Sequence, residues 1–99
     1  MSDVKTVFDH AADEVVKLGN RLAEAEPDAD LWDIADGLLA GAVHYWLYAR
    51  QPCGRLDCED CAPIATAELR LEELKRLCEE FMRESDYFHA PTDRDVGHA

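Results

Sequence analysis

Apolar positions recur by threes and fours along most of this chain. Met1, Val4, Phe8, Ala11, Val15, Leu18, Leu22 and Ala25 form one such seam. Heptad spacing of this kind predicts a helix over about residues 3–25. Ser2 or Asp3 offers a side-chain oxygen to cap its start. Pro27 ends it, because the residue before a proline avoids helical angles.

A second helix is predicted over 31–50. Asp30 is a suitable N-cap, and Asp33 places an acid at the positive end of the helix dipole. One seam runs through Leu31, Ala35, Leu38, Ala42, Tyr45 and Ala49, while Ile34, Leu39, Val43, Trp46 and Leu47 cover most of the remaining circumference. A helix that is apolar nearly all round should be buried nearly all round. Gly37 and Gly41 lie four apart and would admit a close neighbouring helix. Pro52 and Gly54 then break the chain.

The third helix is predicted over 63–88, opening at Pro63, a favoured first helical position. Its seam is Ile64, Ala67, Leu71, Leu74, Cys78, Phe81 and Phe88. Glu72–Arg76 and Glu79–Arg83 are spaced as supporting i,i+4 ion pairs.

No useful segment alternates with period two, so no sheet is expected. The pattern predicts an all-α fold, an up-down-up three-helix bundle with helices ~30 Å long. Residues 1–90 are expected as a single helical domain, and 91–99 as a flexible polar tail. A three-helix monomer hides about one stripe per helix. The second helix carries more, including Trp32, Trp46 and Tyr48, so a homodimer through that helix is expected.

Charge narrows the function classes. The 99 residues carry 22 acids and 10 bases, a net charge of −12. That balance argues against direct binding to nucleic acid and against anionic membranes. The longest uncharged stretch, Gly37 to Ala49, has thirteen residues, too short to span a bilayer. No apolar run follows a basic start, so no signal peptide is read. The expected location is cytoplasmic, with reduced thiols. The acids flank the middle of the chain: residues 1–36 hold ten acids and three bases, 37–55 two arginines and no acid, and 56–90 ten acids and four bases. Carboxylates spaced along two helices can imitate a nucleic-acid duplex and occupy a basic groove on another protein. They can equally be a solubilising surface.

The loop between the second and third helices carries the chemistry. Cys53, Cys58 and Cys61 fall in a C-x4-C-x2-C pattern, and a tight turn at C-x2-C can aim both sulfurs at one ion. A metal site, a disulfide or redox pair, and a plain connection are the three readings of this loop. Asp57, Glu59 and Asp60 surround the sulfurs and should raise their pKa values when no cation is present. Zinc requires a fourth ligand. In the expected bundle His44 stands ~9 Å of helix rise from Arg50, with His10 at the same end, whereas Cys78 is ~22 Å along the third helix. His44 is the candidate fourth ligand, with an interface role as its alternative, and His10, otherwise read as exposed, is the other histidine at that end. Cys78, on an apolar seam, reads as a small hydrophobe. Asp86/His89 and Asp95/His98 read as solvated pairs at or beyond the last helix end.

No Ser–His–Asp signature, phosphate-binding loop, dinucleotide fingerprint or basic aromatic patch is present. Two function classes follow. The first is a non-enzymatic acidic protein that engages and blocks a basic, nucleic-acid-binding surface of a partner protein, as phage or mobile-element antagonists do. The second is a small metal-binding or redox accessory protein, with zinc the candidate metal, working through Cys53, Cys58 and Cys61. The pervasive acidity favours the first.

Overall fold

The computed structural model describes residues 5–55 and 57–93. Among these the chain forms three α-helices and one 3-10 turn, with no strand: α1 (Val7–Ala25), α2 (Leu31–Ala49), the 3-10 turn Ala62–Ile64, and α3 (Ala67–Glu84). No helix among the described residues is long and apolar enough to cross a membrane. The chain divides into two compact units, one ending at Ala49 and the other beginning at Arg50.

The first unit is an α1–α2 hairpin. α1 starts at Val7 rather than near Asp3, because Thr6 supplies the cap. Thr6 Oγ1 accepts from the Asp9 N–H at 3.1 Å, and Asp9 Oδ2 accepts from the Thr6 N–H at 3.1 Å. This reciprocal box satisfies two backbone donors that the first turn would otherwise leave unpaired. Ser2 and Asp3, the caps expected from sequence, lie outside the described residues, as do Met1 and Val4 of the seam. At the far end the Glu26 N–H reaches Leu22 O at 3.0 Å, and Ala29 N–H then reaches Glu26 O at 2.9 Å to turn the chain. Asp30 caps α2 as the sequence predicts, its Oδ1 accepting from the Trp32 N–H at 2.9 Å.

The two helices touch where Gly19 of α1 meets Leu38 of α2. Gly37 and Gly41, the expected close-approach stripe, have nothing within 4 Å of where a Cβ would stand. Burial is partial throughout: among the described residues none is fully buried. On α2, Ile34, Leu38, Val43 and Trp46 are half-buried, whereas Leu31, Ala35, Ala42, Tyr45 and Ala49 of the expected seam are exposed. Within the single chain, much of the apolar circumference of α2 is exposed.

The second unit consists of the cysteine loop, the 3-10 turn and α3. Pro63 is the middle residue of the 3-10 turn and does not open the helix. α3 begins four residues later behind Thr66, whose Oγ1 accepts from the Leu69 N–H at 3.1 Å. A hydroxyl cap outcompetes proline here because it satisfies an orphan donor, whereas proline only avoids creating one. Arg70 ties the helix back to the turn, donating from Nη1 to Ile64 O at 3.0 Å. α3 ends at Glu84, short of Phe88. Its ion pairs differ in part from expectation. Glu79–Arg83 forms, but Arg76 takes Glu73 and Glu80, leaving Glu72 to Lys75. Ala90–Asp93 forms a further turn, with Asp93 Oδ2 accepting from the Ala90 N–H at 2.8 Å.

Candidate metal centre

The loop from Gln51 to Cys61 is shaped by its backbone. Gly54 has φ +94, the only positive φ among the described residues. That left-handed region strongly disfavours side chains with a Cβ. The chain bends there, just after Cys53. The Cys58 N–H then reaches Arg55 O at 3.4 Å, the Ala62 N–H reaches Glu59 O at 3.3 Å, and the Ile64 N–H reaches Cys61 O at 3.0 Å. These turns fold Cys58 and Cys61 back toward Cys53. The Cys53 N–H donates to Cys61 Sγ at 3.3 Å, across eight residues of sequence.

The three sulfurs of Cys53, Cys58 and Cys61 all lie within 4.8 Å of one another. Around a tetrahedral zinc with bonds of about 2.3 Å, neighbouring sulfurs stand about 3.8 Å apart. The donors are therefore gathered to within small rotamer adjustments of a metal's coordination sphere. All four cysteines of the chain are free thiols. Cys58 and Cys61 are half-buried and Cys53 is exposed. Cys78 stands apart from the cluster, half-buried on α3. His44 lies on α2 in the first unit and His10 on α1, both exposed. His89 lies beyond α3, its Nδ1 3.8 Å from Asp93 Oδ2. Asp95 and His98 are outside the described residues.

The local electrostatics depart from the sequence expectation at one sulfur. Cys58 is lowered below the usual thiol range, first by the Cys61 thiol donating to it, then by the Cys61 and Asp60 backbone N–H groups and the Cys53 thiol. Amide donors aimed at a sulfur favour the thiolate, the form that binds metal. Cys61 moves upward. The Cys53 N–H on its sulfur works to lower it, but donation to Cys58 and Cys53 together with partial burial outweighs that contact. The nearby carboxylates, expected to raise the thiols, are not among the causes that move Cys58 or Cys61. Asp57 is engaged by Arg55, with Nε 3.5 Å from Oδ1.

Beside the cluster is a cleft of about 260 Å3, lined by Pro52, Gly54, Arg55, Cys58, Cys61, Ala62 and Ala65. Two of the three sulfur-bearing residues thus form its wall. Sequence spacing pointed to the three cysteines. It gave no role to Arg55 in this wall or to the Cys53 amide, because neither a lining position nor a backbone donor is written in residue spacing. No protein-family model, no curated protein and no solved structure matches the chain.

Proposed function

We propose that this is a small metal-binding protein in which the thiolates of Cys53, Cys58 and Cys61 hold a zinc ion. The convergence of three sulfurs within 4.8 Å carries the reading. Three soft thiolates favour zinc over magnesium, calcium and manganese, which prefer oxygen donors. The metal also serves the fold. A unit of this size seldom closes on apolar burial alone, and a structural ion is one of the usual supplements. Zinc joins Cys53, before the loop turns, to Cys61, which directly precedes the 3-10 turn leading into α3. Protein purified without chelator should carry about one metal per chain by elemental analysis, and each of Cys53→Ser, Cys58→Ser and Cys61→Ser should lower it. A metal-free protein that stays metal-free with added zinc would overturn the proposal.

A second reading rests on a different observation. Glu24, Glu26, Asp28, Asp30, Asp33 and Asp36 cluster at the hairpin turn, with no base between residues 24 and 36, and all six are exposed. Trp32 stands among them at 79% exposure, beside Leu31 at 64%. In this reading the acidic hairpin end engages and blocks a basic surface on a partner protein, with Trp32 as the apolar anchor. Self-association through α2 belongs to the same proposal and is supported by the exposure of Tyr45 and Tyr48. Light scattering at micromolar concentration should give twice the chain mass. A monomer mass would remove the dimer.

A further inference from the structure

Three thiolates fill three of the four tetrahedral positions that zinc prefers. Two of their residues, Cys58 and Cys61, also wall the cleft of about 260 Å3, and Arg55 lines the same space. Resting on the metal-binding reading above, we infer that the centre is an open one. Its fourth position takes a small external thiol bearing a carboxylate, with the sulfur on the metal and the carboxylate on Arg55.

Three features of the cleft set that ligand class. Its volume lies below the ~300–1,000 Å3 of pockets that take drug-sized molecules, which suits a small occupant. A metal already bound by three thiolates accepts a further soft donor more readily than a hard oxygen. The charged side chain among the described lining residues is Arg55, whose contact with Asp57 is made through Nε. A guanidinium has four further N–H donors, in the fork geometry that matches a carboxylate. Binding involves no redox change. The incoming thiol gives its proton to solvent as its sulfur joins the metal.

Cobalt(II) substitution in the full chain tests this, because the absorption of cobalt thiolates reports how many sulfurs are bound. Thioglycolate is the probe. β-Mercaptoethanol has the same donor without the carboxylate, and acetate the carboxylate without the donor. Thioglycolate should intensify the sulfur-to-cobalt charge-transfer band saturably, while acetate leaves it unchanged. Thioglycolate should also bind about three- to fivefold more tightly than β-mercaptoethanol, the modest factor expected of a solvent-exposed ion pair. Arg55→Gln should remove that preference and leave β-mercaptoethanol binding intact.

Equal binding of the two thiols, unaffected by Arg55→Gln, would overturn the carboxylate contact. Uptake of one cobalt per chain with a spectrum that neither thiol moves would overturn the inference alone. So would a change in the starting spectrum of His44→Ala or Cys78→Ser, since the chain itself would then close the site. Failure to take up any cobalt sinks the metal reading and this inference together.

Discussion

A Cβ on Gly19 of α1 would sit 3.0 Å from Leu38 Cδ1 of α2. A hydrogen at this position lets the two helices of the hairpin meet. Glycine in a helix costs about 1 kcal/mol relative to alanine, so Gly19 trades helix propensity for contact. The contacting atom is the tip of a flexible side chain on a half-buried residue, which can shift by a few tenths of an ångström. Gly19→Ala should therefore change stability by less than about 0.5 kcal/mol, propensity and crowding nearly cancelling. Gly19→Leu should destabilise by about 1–3 kcal/mol through overpacking. Adding Leu38→Ala to Gly19→Ala should release the propensity gain. Urea denaturation of these three variants and of Leu38→Ala alone checks this, and strict additivity between the two sites would remove the contact argument.

The same contact marks what was legible in the sequence. Periods of three and four located all three helices, and Asp30 located the start of α2. Spacing alone put the helix-contact glycines at Gly37 and Gly41, because small residues four apart suit any close helix neighbour. That pattern describes a surface but not which surface a neighbour uses. α2 is apolar around most of its circumference, so no single face stood out. Arg76 failed for a related reason. Glu72, Glu73 and Glu80 are all within helical reach of it, and rotamer geometry chooses among them. The cysteine cluster was legible as a candidate because thiols at C-x4-C-x2-C spacing can be brought together by tight turns. Its cleft was not, because it depends on the φ of Gly54 and on where the 3-10 turn places Ala62 and Ala65.

Helix starts supply the second prediction. Thr6 and Thr66 both accept a backbone N–H three residues on, and only Thr6 receives a reciprocal carboxylate contact, from Asp9. Thr66→Ala should cost about 1 kcal/mol, the usual loss for an N-cap hydroxyl. Thr6→Ala should cost as much, and Asp9→Ala should cost less because the hydroxyl cap survives. Thermal melts followed by circular dichroism should rank the variants in that order. Asp9→Ala outranking Thr6→Ala would mean that the carboxylate is the principal cap.

Lys5 and Asp13 carry a pH dependence. Lys5 Nζ donates to Asp13 Oδ2 at 2.7 Å, tying the residue before the Thr6 cap to the body of α1. That hydrogen bond, and then the attraction of the two charges, holds Asp13 below the usual carboxylate range and raises Lys5. A depressed acid contributes stability above its unfolded pKa and loses it as pH falls through the folded value. A raised lysine contributes below its unfolded pKa and loses it as pH rises through the folded value. The pair therefore supports the start of α1 across the neutral range and releases it at both extremes. In Lys5→Ala the Asp13 carboxyl should titrate closer to the ordinary carboxylate range, read by carbon-13 NMR. An unmoved Asp13 titration would show that the contact is not formed in solution. Added salt should weaken the effect, since both groups are solvent-exposed.

Cys78 separates packing from ligation. It is half-buried on α3, on the helix face that also carries Leu74 and Leu77, and stands outside the sulfur cluster. Cys78→Ser should leave metal content unchanged and lower stability by about 1 kcal/mol, as a hydroxyl enters a largely apolar surface. Cys58→Ser should do the opposite in ranking, removing metal first and stability only as a consequence. Elemental analysis and urea denaturation on the same samples decide it. Loss of metal in Cys78→Ser would put a fourth cysteine into the site.

Gly54 tests whether the loop is built for its metal. Its φ of +94 is unfavourable for any residue with a Cβ, yet a Cβ there would meet nothing within 4 Å. The strain of a substitution is thus purely a backbone effect, with no clash to confuse it. Gly54→Ala should cost about 1–2 kcal/mol in the turned loop, which corresponds to roughly a five- to thirtyfold loss of zinc affinity when binding requires the turn. Gly54→Asn should cost less than Gly54→Ala, because asparagine tolerates positive φ better than other side chains do. Competition with a zinc indicator gives both affinities. The metal-free proteins should differ less in stability than the metal-bound ones, because an unliganded loop can relax away from the strained turn. If Gly54→Ala binds zinc as tightly as the parent, the three sulfurs reach the ion without this turn.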